Sequence, residues 1–128
     1  MVFDGGSLGN PGRGYGSYLL ISPTGRKVHA ALDFSEDGSI ITNNQAEYLT
    51  LIEAFRHLHA LLGERSSNVF VRVEGDSQLV LNQLSGRWKV KNEKLRELQA
   101  TATGMMKGFR EVELKWHPRA RSVRVLGH

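Results

Sequence analysis

The chain has no cysteine among its 128 residues. That excludes disulfides and thiolate metal sites, and it fits a cytoplasmic protein. No apolar run approaches the roughly 20 residues that cross a bilayer, so no membrane partner is expected. No charged-then-apolar leader opens the chain, because Val2 and Phe3 already read as strand. No internal repeat, low-complexity tract or linker interrupts it. Residues 1–128 are therefore expected to fold as one monomeric domain with its own core. Acids are missing from Lys115 to His128, where Lys115, Arg119, Arg121 and Arg124 stand.

What is present is ordinary in amount and uneven in placement. Hydrophobic residues make up 40% and charged residues 23%, as in a globular protein. Residues 1–64 carry 4 Lys/Arg and 7 Asp/Glu, a balance of −3, whereas residues 65–128 carry 13 and 6, a balance of +7. A basic half is the footprint of a polyanion. A solvated surface that happens to be basic is the plain alternative.

The pattern of apolar residues predicts an α/β fold. Val2-Phe3 starts a short strand that ends in the Gly-rich segment Gly5–Gly16. Tyr18-Leu19-Leu20-Ile21 suits a buried strand, Ser22-Pro23-Thr24-Gly25 a type I turn, and Arg26–Phe34 the returning partner. Thr42-x-x-Gln45 has the form of a capping box. Tyr48, Leu51, Ile52, Phe55, Leu58 and Leu62 follow at helical spacing, with Gly63 as the stop. Val69, Val71 and Val73 alternate as a strand. Asp76 or Ser77 then caps a short helix ending by Gly86. A third helix starts near Asn92, and Val112, Leu114 and Trp116 alternate as a fifth strand. The order βββαβααβ predicts a five-stranded mixed sheet flanked by helices, with no helix after the fifth strand.

Three acids stand out. Asp4 ends an apolar dipeptide beside Gly5-Gly6, Glu47 lies on the first turns of a helix, and Asp76 closes a Val-rich strand. Each has a plain role available: opening a turn, meeting the helix dipole, capping a helix. If the first and fourth strands are neighbours and the helix crosses them, the three carboxylates meet. Converging carboxylates repel unless a hard cation lies between them, and all-oxygen donors favour Mg2+ or Mn2+ over zinc. Two such ions about 4 Å apart can activate water and stabilise the leaving oxygen of a phosphodiester.

The other candidates are weaker. His29, His57 and His59 read as structural or surface residues; the last two point to different faces of one helix. His117, Arg119 and His128, in the basic C-terminal segment, are further candidates, the two histidines for proton transfer or product release. Gly86-Arg87-Trp88-Lys89-Val90-Lys91-Asn92 interleaves bases with an aromatic. There Lys89 can hold a sugar-phosphate backbone while Trp88 packs on a sugar, or Trp88 can simply anchor a connector.

Together these segments resemble ribonuclease H type 1, in its compact bacterial or archaeal form. The resemblance is carried by Phe3-Asp4-Gly5-Gly6-Ser7-x-x-Asn10-Pro11-Gly12, Thr42-Asn43-Asn44-Gln45-Ala46-Glu47-Tyr48, Gly75-Asp76-Ser77-Gln78-Leu79-Val80 and Trp88-Lys89-Val90-Lys91-Asn92. It runs in register from Val2 to about Arg119. It implies the ribonuclease H-like fold and cleavage of the RNA strand of RNA–DNA hybrids, leaving 5′-phosphate and 3′-hydroxyl ends. It implies Asp4, Glu47 and Asp76 as catalytic ligands of two Mg2+ or Mn2+ ions. Gly5, Gly6, Ser7, Asn43, Asn44 and Gln78 would grip the minor groove, and Thr42 and Asn92 would touch DNA phosphates. Double-stranded RNA is a further candidate partner.

Two departures accompany the resemblance. Only Arg87 to Lys91 separates the second and third helices, where many members carry a basic insertion. Pro118-Arg119 matches the family, but the acid that usually follows on a final helix is absent. Read without a gap, Leu126 stands in its place. Reduced activity, or a hybrid-binding module without catalysis, is the alternative. A basic α/β interaction domain whose acids only cap helices is the third reading.

Overall fold

The computed structural model describes residues 1–127. Three antiparallel strands come first, β1 (Val2–Leu8), β2 (Arg13–Ile21) and β3 (Lys27–Asp33). The turn between β2 and β3 closes with Gly25 N–H donating to Ser22 O at 3.0 Å. Helix α1 (Asn43–Leu62) follows, then a 3-10 segment (Gly63–Asn68) and strand β4 (Phe70–Gly75). The chain continues through α2 (Gln78–Leu84), α3 (Glu93–Met106), β5 (Glu111–Trp116) and α4 (Arg119–Leu126). The strands form one sheet in the order β3-β2-β1-β4-β5, with β1–β4 and β4–β5 parallel.

The core lies where α1 crosses the sheet. Phe3, Tyr18, Leu20, Val71 and Val73 from the strands meet Tyr48, Leu51, Ile52 and Phe55 from α1, and all are buried. Leu95 and Ala102 of α3, which packs against α1, and Phe109, whose ring lies 5.8 Å from that of Phe55, complete it. Thr42 caps α1 as its sequence predicts: Thr42 Oγ1 accepts from Gln45 N–H, and Gln45 Oε1 accepts from Thr42 N–H.

The structure corrects the sequence reading in two places. Gly5 and Gly6 are not loop residues but lie inside β1, opposite Gly16 and Tyr15. A Cβ at Gly5 would come within 2.6 Å of Ala46 O, and one at Gly16 would overlap Thr50 Oγ1. The glycines therefore let α1 lie directly on β1 and β2. The second correction is α4, because the chain does carry a helix after β5. Pro118 precedes its first turn, Ser122 and Leu126 are buried, and Gly127 ends it at φ +85° with its N–H on Val123 O. Pro at the start and Gly past the end are ordinary helix boundaries, so the terminal segment had the needed signals.

Candidate active site

Sheet register brings the first two acids level. Val2 of β1 pairs with Glu74 of parallel β4, so two residues further along each chain Asp4 and Asp76 come side by side. Glu47 arrives from α1, which the bare Gly5 backbone admits at close range, and its Oε2 accepts the Gly5 N–H at 3.1 Å. Each of the three residues offers a carboxylate oxygen within 4.8 Å of the others. Asp4 and Glu47 are buried, and Asp76 is nearly so.

The electrostatics follow from that crowding. Burial, then the charges of Asp4 and Asp76, pushes the Glu47 carboxyl well above its usual range, and the Gly5 N–H only partly opposes this. Asp76 Oδ2 is buried and receives no hydrogen bond. The Arg119 guanidinium, at the start of α4, reaches toward the cluster, with Nη1 3.8 Å from Asp4 Oδ2 and 3.9 Å from Asp76 Oδ2. An all-oxygen set, mutual repulsion and a buried oxygen without a donor fit a hard divalent cation.

Around the cluster the other candidates separate by what they already hold. Ser7 N–H and Oγ both donate to Asn43 Oδ1, at 2.8 and 2.9 Å, tying the end of β1 to the start of α1. Asn43 N–H in turn donates to Asn10 Oδ1 at 3.1 Å. Next to the acids Gly5 and Gly6 are buried, Ser7 and Asn44 are half-buried, and Asn43 is exposed. Thr42 and Asn92 are helix caps; Asn92 Oδ1 accepts from Leu95 N–H at 3.0 Å. Gln78 opens α2 and is exposed. Trp88 and Lys89 are exposed on the connector between α2 and α3, which buried Val90 pins to the core.

His117 does not stand open to the acids. It is buried, its Nε2 lies 2.7 Å from Ser122 Oγ, and burial pulls its pKa below the usual imidazole value. That geometry describes an anchor between β5 and α4. His128 lies outside the described residues.

Trp116 is a neighbour of the site that the sequence reading treated only as a strand residue. Its indole N–H donates to Asp76 O at 3.1 Å. It lines a groove of about 270 Å³ with Gln78, Asn82, Ser85 and Arg87 among others. Its position at the carboxyl end of β5, the strand beside β4, was the available signal.

Comparison with known proteins agrees with this geometry. The reverse transcriptase-like family matches residues 3–125. Ribonuclease HI of Halobacterium salinarum is 38% identical over 125 residues, covering 95% of this chain and 57% of that protein. Among solved structures, RNase H1 from Halobacterium salinarum NRC-1 superposes with a TM-score of 0.82 at 34% identity, over 98% of this chain and 90% of the other. LC11-RNase H1, solved in complex with an RNA/DNA hybrid, gives a TM-score of 0.85 at 27% identity, over 96% and 87%. The chain spans only 31% to 57% of the length of the curated relatives that share 38% identity with it.

Proposed function

The chain belongs to the ribonuclease H family, and from that premise we propose that it is an endoribonuclease cutting the RNA strand of RNA–DNA hybrids at Asp4, Glu47 and Asp76. The observation that carries the reading is the meeting of three carboxylates within 4.8 Å where β1 lies beside the carboxyl end of β4. Asp4, Glu47 and Asp76 would hold Mg2+ or Mn2+, two ions when substrate is present. The chemistry supplied by such an ion would be a lowered pKa for water and an offset to the charge that gathers on a phosphodiester under attack. Hydrolysis there would form a P–O bond from the water oxygen as the P–O3′ bond breaks, with one proton of the water passing to O3′, leaving 5′-phosphate and 3′-hydroxyl ends.

The chain's own residues supply position and selectivity. Gly5 and Gly6 are buried against Ala46 and Tyr15 and shape the site from beneath, while the more open Ser7 and Asn43 would meet the minor groove. Amide and hydroxyl groups at Ser7, Asn43, Asn44 and Gln78 can read 2′-hydroxyls, which distinguish RNA from DNA. Thr42 and Asn92 face DNA phosphates with caps already in place, and Lys89 and Trp88 hold the sugar-phosphate backbone. Arg119 stands beside the scissile position, and His117 supports it through α4. Double-stranded RNA is a secondary substrate. No described helix is long and apolar enough to cross a membrane, and we place the protein in the cytoplasm as a monomer.

One observation favours a second reading, a hybrid-binding module with little cleavage. Helix α4 has no acid from Arg119 to Leu126, and Leu126 is buried. The discriminating experiment is cleavage of end-labelled hybrid with Mg2+ or Mn2+. Cut RNA that vanishes in Asp76→Asn supports the enzyme; tight binding with intact RNA supports the module.

A further inference from the structure

Helix α4 begins with cations where helices usually carry anions. Arg119 and Arg121 lie in its first turn, which contains no acid, although the positive end of the helix dipole disfavours them. The acids they face explain the placement. Arg121 Nη2 is 3.6 Å from Glu74 Oε2, while Arg119 Nη1 is 3.8 Å from Asp4 Oδ2 and 3.9 Å from Asp76 Oδ2. Those last distances exceed a hydrogen bond, so the contact is electrostatic and loose. The Arg119 side chain is 62% exposed and has room to swing out.

The helix does not depend on that contact. Ser122 holds His117 at 2.7 Å, Leu126 is buried, and Gly127 N–H closes the last turn on Val123 O. Arg119 can therefore leave the carboxylates while α4 stays docked. The two oxygens it faces, Asp4 Oδ2 and Asp76 Oδ2, belong to the cluster assigned above to the divalent ion.

We propose that Arg119 is an internal competitor for the divalent ion. Its guanidinium offsets the repulsion of the cluster before an ion binds, and it withdraws from Asp4 and Asp76 as the ion takes their oxygens. Arg119 thereby sets the metal concentration at which the site loads. This inference rests on the metal-binding reading of Asp4, Glu47 and Asp76.

The test is calorimetric titration with Mn2+ in the absence of nucleic acid, on folded full-length protein. Arg119→Ala should bind Mn2+ about tenfold more tightly than wild type, equivalent to ~1.4 kcal/mol. Arg119→Lys, which keeps the charge without the planar fork, should fall between the two. Arg121→Ala removes the same charge from the same turn, but its partner Glu74 lies outside the cluster, so it should change affinity less than about twofold by screening. Equal or weaker binding by Arg119→Ala overturns the inference, as does an equal gain in Arg121→Ala. If neither wild type nor Arg119→Ala binds Mn2+ while both show a normal thermal melt, the metal-binding reading itself fails, and the inference with it.

Discussion

Glu47 concentrates the conflict between folding and function in one side chain. Burial and the charges of Asp4 and Asp76 raise its proton affinity, so the ion-free cluster works against the folded state. Asp76→Asn should therefore abolish cleavage and yet stabilise the ion-free protein by about 1 kcal/mol, the scale of a relieved like-charge contact. The loss of one Arg119 contact does not reverse that sign, since Arg119 still faces Asp4 Oδ2 at 3.8 Å while the carboxylate repulsion is relieved. Urea unfolding in chelator checks it, and a lower midpoint for the variant would show that the cluster is not repulsive. His117 gives a prediction at lower pH. Burial holds its folded pKa below the ordinary value; the opposing charges of Glu74 and Asp76 and the reinforcing charge of Arg121 are smaller influences. A depressed imidazole contributes stability above its unfolded pKa of about 6.5 and loses it as pH falls through the folded value. Wild type should thus lose stability relative to His117→Gln between pH 7.5 and 5.5, measured as the difference in urea midpoints.

At the scale of elements, the site depends on how closely α1 lies on the sheet. Glu47 reaches Asp4 and Asp76 because Gly5 and Gly16 leave no side chain between β1–β2 and the first turns of the helix. Thr50, whose Oγ1 bonds Ala46 O at 2.8 Å, fills the space above Gly16. Gly16→Ala should cost roughly 1–3 kcal/mol, the usual range for overpacking a close contact. Adding Thr50→Ala should recover part of that loss, because the hydroxyl is what the new methyl meets. Thermal melts of the two variants decide it; no recovery in the double variant would place the strain elsewhere. Gly-rich sequence is ambiguous between loop and strand, since what forces the glycine is a carbonyl of a residue over 40 positions away. That is why the strand through Gly5 and Gly6 was not legible locally, whereas the capping box at Thr42, which needs only its own neighbours, was. Helix α4 failed differently. Its Pro and Gly boundaries are local signals, but its first turn carries Arg119 and Arg121 and no acid, the reverse of the usual charge pattern at a helix start.

Across the whole molecule, the mixed sheet was legible because alternation and helical spacing identify elements, and parallel pairing follows from the helices between them. The meeting of Asp4 with Asp76 followed from adjacent parallel strands, and Glu47 from the register of an amphipathic helix. The contacts of Arg119 and Trp116 were not legible, since they depend on where α4 and the end of β5 pack in three dimensions. The same global view locates the basic surface. Arg87, Lys89, Lys91, Lys94 and Arg96 crowd one connector and the first turn of α3, and all are exposed. Arg26 and Lys27 instead lie beside Met1 and Phe70, at the amino ends of β1 and β4, away from Asp76. If the connector tracks the hybrid backbone, each phosphate contact releases counterions, and affinity falls with salt in proportion to their number. Replacing Lys89 and Lys91 by Ala together should lower the slope of log affinity against log salt by about 2, and weaken hybrids of any sequence alike. Replacing Arg26 and Lys27 should leave the slope unchanged, although it removes the same net charge. Fluorescence anisotropy of a labelled hybrid in chelator, across a salt series, separates the two cases. Equal slopes for both double variants would mean that the basic half attracts nucleic acid only as a diffuse field and that the connector makes no contact of its own.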